Sequence, residues 1–307
     1  MAKVVLGIGT SHTPQISAPW AEWGNLGKTQ EVSPAVPEDL EEQLKPQVWE
    51  RRHASVQAAI KLLGDKIRDA KLDAMVIFGD DQHEQFHDEN MPALAIYHGE
   101  KVEVHPRQGR PNNPNFPSLR FEPTKPEYEN DADLANHLIG ALTDREFEVT
   151  RCNELRAERG IGHAFSFLYQ RLWAECDIPI VPVMVNTYYP PNQPTPKRCY
   201  SLGQAVRDSV AGWGGDQRIG IMASGGLSHI VIDEPLDHQV IAGLQHKDKE
   251  ALWALPRDKM RGGTSEILNW VAAAGALEEL DMTLIDYIPG YRSRPSTGCA
   301  MGFAYWE

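Results

Sequence analysis

The sequence predicts an α/β fold. One large domain, residues 1–307, would carry a central, largely parallel or mixed sheet flanked by helices, with the active site at the carboxyl ends of its strands. Three observations carry this prediction. Short continuous apolar runs alternate with longer stretches of helical periodicity, as in successive βαβ units. The apolar runs lack the in–out alternation of a half-solvated sheet, so both faces should be covered. No repeat, low-complexity tract or composition shift marks a boundary along the 307 residues, and a chain of this size buries a core without staples.

The elements follow in order. The run 4–9 (Val-Val-Leu-Gly-Ile-Gly) reads as a buried strand, and it is too short for a signal peptide or a membrane span. Segment 17–47, rich in Trp, Pro and acidic residues, takes no regular assignment. Val56, Ala59, Ile60, Leu63 and Ile67 recur at helical spacing and predict a helix over 49–70. Strands are expected at 74–78 and 93–97. Segment 105–126 carries six prolines and three asparagines and reads as an ordered loop, of the length that often forms a lid. Helices are expected over 131–142 and 163–174, then a strand at 180–185, where Pro182 suits an edge. A helix over 199–211, a strand at 219–223 and helices over 237–255 and 265–274 complete the series.

Composition narrows the function. The formal charge of −13 and pI near 5.3 disfavour nucleic acid and anionic membrane as partners. A small anionic substrate stays open, because a few local arginines override the global field. Cys152, Cys176, Cys199 and Cys299 form no C-x-x-C pair and read as reduced, buried thiols of a cytoplasmic protein. Gly7-x-Gly9 lacks the third glycine of a dinucleotide fingerprint, and neither a P-loop nor a G-x-S-x-G elbow is present.

Polar residues concentrate just after the strands. His12 follows the first strand in Gly-Thr-Ser-His-Thr-Pro, His83 the second in Gly-Asp-Asp-Gln-His-Glu, and His229 the last in Ser-Gly-Gly-Leu-Ser-His. Ligands bind beyond the carboxyl ends of strands in open parallel sheets. Each histidine alone could be a loop residue bonded to nearby backbone; three delivered to one rim point to shared chemistry. Glu266, at the start of the last helical stretch, is the candidate carboxylate, although a helix N-terminus would by itself attract one. Two neutral imidazoles and one carboxylate form the facial set that holds Fe(II) and leaves its opposite face open. His163, behind Gly-Ile-Gly, is a further candidate, and His87 is the rival to His83 four residues along the same loop.

These segments resemble the class III extradiol ring-cleaving dioxygenases, the superfamily of the protocatechuate 4,5-dioxygenase β subunit and of gallate and 3-O-methylgallate dioxygenases. The resemblance rests on Gly7-Ile8-Gly9-Thr10-Ser11-His12-Thr13-Pro14, on Asp80-Asp81-Gln82-His83 and on Val185-Asn186-Thr187-Tyr188-Tyr189-Pro190-Pro191 with Lys197-Arg198-Cys199. Gly225-Gly226-Leu227-Ser228-His229 and Glu266-Ile267-Leu268-Asn269-Trp270 complete it. One departure is visible: the family pattern has Asn-Asp-His at the second ligand, where this chain has Asp-Asp-Gln-His.

The resemblance implies a catechol-type ring opened in the meta position with both atoms of O2 incorporated. It implies His12, His83 and Glu266 as ligands of Fe(II), His229 as catalytic base, and His163 as a second acid/base or substrate-orienting group. A hydroxybenzoate carboxylate would need a cationic or hydroxyl partner, for which Arg198, Tyr291, Arg292 and Arg294 are candidates. The expected assembly is a homodimer, or a chain that recruits a separate small helical subunit. Two alternatives are a non-catalytic peptide-binding protein of the same fold, disfavoured by the presence of His12, His83, His229 and Glu266, and an iron or zinc enzyme acting on a dihydroxyphenylalanine-like or hydroxypyridine ring.

Overall fold

The computed structural model describes residues 1–26, 36–106, 121–156 and 158–307. Its first half comprises β1 (Lys3–Thr10), α1 (Pro14–Ser17), α2 (Leu40–Gln43), α3 (Pro46–Asp69), β2 (Ala74–Gly79), β3 (Leu94–Tyr97), β4 (Lys101–Glu103), β5 (Glu127–Glu129), α4 (Ala132–Thr143) and β6 (Thr150–Cys152). The second half comprises α5 (His163–Phe167), β7 (Ile180–Val185), α6 (Pro196–Gly212), β8 (Arg218–Ser224), β9 (His229–Val231), α7 (Glu234–Gln245), α8 (Lys249–Trp253), α9 (Ile267–Ala276), β10 (Met282–Tyr291) and β11 (Thr297–Trp306).

The predicted architecture is the observed one. Among the described residues the main sheet has nine strands in the order β10-β11-β1-β8-β2-β7-β3-β6, with β9 added to β11. Its centre, β1-β8-β2-β7, is parallel. The β10–β11 hairpin joins β1 antiparallel, and β3 runs antiparallel to β7, so the sheet is mixed. Strand β2 shows why its sequence is continuously apolar. Val76 and Phe78 enter the core built with Leu134 of α4, Val206 of α6 and Trp270 of α9. Met75 and Ile77, one residue out of phase, enter the core against Leu63 and Ile67 of α3. Alternating side chains therefore meet helices on both faces.

Caps set the helix starts. Asp131 accepts from the Leu134 N–H at α4, Thr195 accepts from the Arg198 N–H at α6, and Pro46 and Pro196 occupy the first turns of α3 and α6. Four expectations change. Strand β7, where Pro182 suited an edge, lies inside the sheet between β2 and β3. The single helix over 237–255 is two, α7 and α8, because Lys247 adopts φ 53° and Asp248 then caps α8 from the Ala251 N–H. The helix over 163–174 is α5 followed by one π turn, Leu168–Leu172. The C-terminal hairpin was not expected, since Thr297–Trp306 (TGCAMGFAYW) is rich in small residues rather than β-branched ones. Segment 105–126 lies largely outside the described residues, as does part of 17–47. No helix among the described residues is long and apolar enough to cross a membrane. The four cysteines are buried and unpaired.

Helices α6 and α9 touch backbone to backbone. A Cβ at Gly203 would sit 1.8 Å from the Ala272 carbonyl oxygen, and one at Gly275 would sit 2.0 Å from that of Tyr200. Neither obstacle can rotate away. Gly203→Ala should therefore force the helices apart and lower the unfolding free energy by about 3 kcal/mol, the upper part of the usual overpacking range, as read by urea denaturation.

Candidate active site

The carboxyl ends of β1, β2 and β8 converge with the start of α9. Among the described residues one group of buried side chains offers donors spaced for a metal ion: His12, Asp80 and Glu266, whose ligand atoms all lie within 4.8 Å of one another. His12 stands two residues beyond β1, and Asp80 is the first residue beyond β2. Glu266 ends the 3-10 turn Gly262–Glu266 that leads into α9.

Hydrogen bonds set the proton positions. The Ser224 hydroxyl donates to the Ala164 carbonyl at 2.5 Å, so toward His12 it acts as acceptor. The His12 Nδ1–H therefore donates to Ser224 Oγ at 3.0 Å, which leaves Nε2 as a bare lone pair. That nitrogen is buried without a hydrogen-bond partner, 3.4 Å from Glu266 Oε2. A lone pair facing a carboxylate oxygen is repulsive unless a cation lies between them. Glu266 Oε2 also accepts from the Gly226 N–H at 2.6 Å. Asp80 is wholly buried, accepting from Asn269 Nδ2 at 3.2 Å and from Gln82 Nε2 at 3.1 Å. Gln82 Nε2 reaches Glu266 Oε1 as well, at 3.2 Å. Burial and then the Glu266 charge push Asp80 up to about 6. Burial opposes ionisation of Glu266 too, but the facing His229 charge and the Gly226 amide outweigh it and hold that carboxyl well below the usual range.

His229, the first residue of β9, donates its Nδ1–H to the Leu227 carbonyl at 2.7 Å. Its Nε2 points at Glu266 Oε2, 3.5 Å away. Burial alone would lower its pKa; the Glu266 charge reverses that and raises it to about 9. His163 opens α5 with its ring edge-on to His12 at 4.6 Å between centroids. Glu84 holds it, accepting from the His163 backbone N–H and lying 2.8 Å from its Nδ1.

Four of the five expected chemical residues, His12, His163, His229 and Glu266, thus come together. His83 does not join them. It adopts φ 58°, stacks on Tyr189 at 3.9 Å and beside His87 at 5.4 Å, and puts Nε2 3.1 Å from Asp88 Oδ1. The cause is the loop after β2, in which Asp81 accepts from the backbone N–H groups of Gln85 and Phe86 and carries His83 outward while Gln82 turns in. Asp80, Gln82 and Glu84 are the residues that sequence reasoning passed over, although the strand-end rule that selected His83 points first to Asp80.

Residues 34–298 match the family described as the catalytic LigB subunit of aromatic ring-opening dioxygenase. The chain belongs to that family. Similar proteins include the gallate dioxygenase of Pseudomonas putida, 33% identical over 107 residues, which is 34% of this chain and 30% of that protein. A 2,3-dihydroxyphenylpropionate/2,3-dihydroxicinnamic acid 1,2-dioxygenase of Photorhabdus laumondii is 27% identical over 175 residues, 57% of this chain and 48% of that protein. The aligned part therefore spans half or less of either relative.

The protein has a cavity of about 590 Å³ lined by Tyr188, Pro190, Gln193, Arg257, Asp258, Met260 and Arg261. It adjoins the metal-spaced group. Burial, and then the facing Glu266 and Asp80, raise the Tyr188 hydroxyl far above the ordinary tyrosine range. The loop from Arg261 runs directly onto His229, where a Cβ at Gly263 would lie 2.4 Å from the His229 Cβ. Of the four expected carboxylate-gripping residues, Arg198 is on the surface, bonded to the Glu146 carbonyl and lying over the Phe147 ring. Arg294 pairs with Glu41 in solvent, and the Tyr291 hydroxyl is spent on Glu234. Arg292 differs. It reaches Cys299 Sγ, which also takes the Thr13 hydroxyl next to His12, and its Nε is buried without a partner.

Proposed function

We propose that the protein is an Fe(II)-dependent extradiol dioxygenase that cleaves a carboxylated catechol, of the protocatechuate, gallate or 3-O-methylgallate type, in the meta position. Its support is the buried His12 Nε2 lone pair aimed at two carboxylates, with His229 on the same carboxylate. The donor set fits a divalent cation: one neutral imidazole already locked in the ligating tautomer and two acidic oxygens that lack a Lys or Arg partner among the described residues. His12 and Glu266 would hold the metal. When bound, it would polarise the two ring hydroxyls and supply electrons to dioxygen.

The chain's own groups do the rest. His229 takes a ring-hydroxyl proton at Nε2, the only nitrogen available, because Leu227 holds the other. His163, fixed by Glu84 beside His12, orients the ring or returns a proton during cleavage. Burial of His12, Asp80 and Glu266 strengthens each charge interaction among them. Arg292 would take the substrate carboxylate.

Oxygen-electrode assay of anaerobically Fe(II)-loaded protein against protocatechuate, gallate, 3-O-methylgallate and unsubstituted catechol tests this reading. Uptake matched by a ring-opened product, a semialdehyde from protocatechuate, is expected with a carboxylated compound. Metal-loaded protein inert toward all four would overturn the substrate class. Arg292→Gln is expected to raise KM for the carboxylated substrate about 10–100-fold, the worth of one charge-assisted pair, and to leave catechol turnover unchanged.

A further inference from the structure

We infer that Asp80, and not His83, is the third protein donor to the metal, so that the site is one imidazole and two carboxylates with the Gln82 carboxamide between them. The inference deepens the metal-dependent reading above and rests on it. Three independent placements carry it. First, Asp80 is the direct continuation of β2, so its side chain is delivered by the sheet itself and is wholly buried with its donor inside the group of His12 and Glu266. Second, His12 Nε2, on a side chain 2% exposed, has no hydrogen-bond partner and faces this pair. A buried unpartnered nitrogen beside two buried carboxylates needs a cation to be tolerated.

Third, His83 is committed elsewhere. Its side chain is 33% exposed and stacked between Tyr189 and His87, with Nε2 3.1 Å from Asp88 Oδ1 but not hydrogen-bonded to it. Bringing it inward would break the two Asp81 bonds to the loop backbone and expel Gln82, which occupies the space between Asp80 Oδ2 and Glu266 Oε1. Gln82 is a positioning residue here: its one amide nitrogen spaces two carboxylates that would otherwise repel. Asn269 secures the far oxygen of Asp80 while also donating to the Ser224 carbonyl, so the hydroxyl that fixes His12 and the carboxylate share one scaffold. An oxygen-rich set is harder than one with two imidazoles and suits Fe(II) or Mn(II) over softer ions.

The test is metal binding by the full chain, using Co(II) as a spectroscopic probe and Fe(II) content after anaerobic loading and desalting. Wild type and His83→Ala should each take up one ion per chain, with the same Co(II) visible spectrum. Asp80→Asn, nearly isosteric and so retained in the fold, should lose affinity by more than the roughly 10–100-fold that removal of a group merely bonded to a ligand costs. Gln82→Ala should keep the ion with weaker binding. Loss of metal from His83→Ala, or retention of wild-type affinity and spectrum by Asp80→Asn, would overturn the assignment. A wild-type chain that takes up no divalent ion would instead remove the metal-dependent reading beneath it.

Discussion

Glu266→Gln is expected to abolish ring cleavage and to lower the stability of the metal-free protein at neutral pH. The carboxylate is 2% exposed and its Oε2 is the meeting point of the site, bonded to the Gly226 N–H and facing both His12 Nε2 and His229 Nε2. An amide keeps the shape and can still accept from Gly226, but it carries no charge. Removing an anionic donor forfeits several kcal/mol of stabilisation of developing charge, so kcat/KM should fall about 10³-fold or more, with metal content falling in parallel. Stability should fall as well. In the metal-free chain the facing His229 charge and the Gly226 N–H hold the Glu266 carboxyl below the usual range, so its ionised form stabilises the fold at neutral pH and the amide forfeits that contribution. Oxygen uptake, metal analysis and thermal unfolding on the same preparation separate this from simple unfolding. A variant that lost activity only through a lower Tm would refute a functional role for the residue.

Much of this site was legible in the sequence, for a physical reason. Parallel strands feed their next residues to one rim, so His12 and His229 could be placed from strand ends alone, and Glu266 from the start of a helix. What sequence could not supply was loop conformation. Whether the chain after Gly79 presents Asp80, Gln82 or His83 depends on Asp81 capping two backbone N–H groups and on a left-handed residue at His83, neither of which any spacing rule encodes. Side-chain chemistry also misdirected the choice, because imidazole is the commoner ligand and drew attention from the carboxylate nearer the strand. The arginines were legible only as a set. Arg292 is distinguished from Arg198 and Arg294 by where the C-terminal hairpin carries it, and the second strand of that hairpin is written largely in glycine, alanine and cysteine rather than in the β-branched residues that announce a strand.

His229→Phe should retain the metal and lose turnover by about 10²–10⁴-fold, the span that general acid–base groups contribute. The substitution suits the slot. His229 lies between two glycines, a Cβ on Gly226 falling 1.8 Å from its Cε1 and one on Gly263 falling 2.4 Å from its Cβ, so only a flat ring fits and phenylalanine is flat. The proton logic then decides what is measured. Glu266 as a bare anion holds His229 up to about 9, protonated at neutral pH and unable to act as a base. Once the Glu266 charge is neutralised, burial is the larger remaining influence, and it drives the imidazole toward the neutral form that accepts a proton. The base therefore becomes competent only in the loaded site. Wild-type kcat/KM should decline toward acid as His229 protonates, whereas the residual rate of His229→Phe should lack that limb. If the variant kept the limb, the titrating group would be another residue, His163 being the nearest alternative by its contact with His12. If it lost the metal as well, His229 would belong among the donors and not to proton transfer.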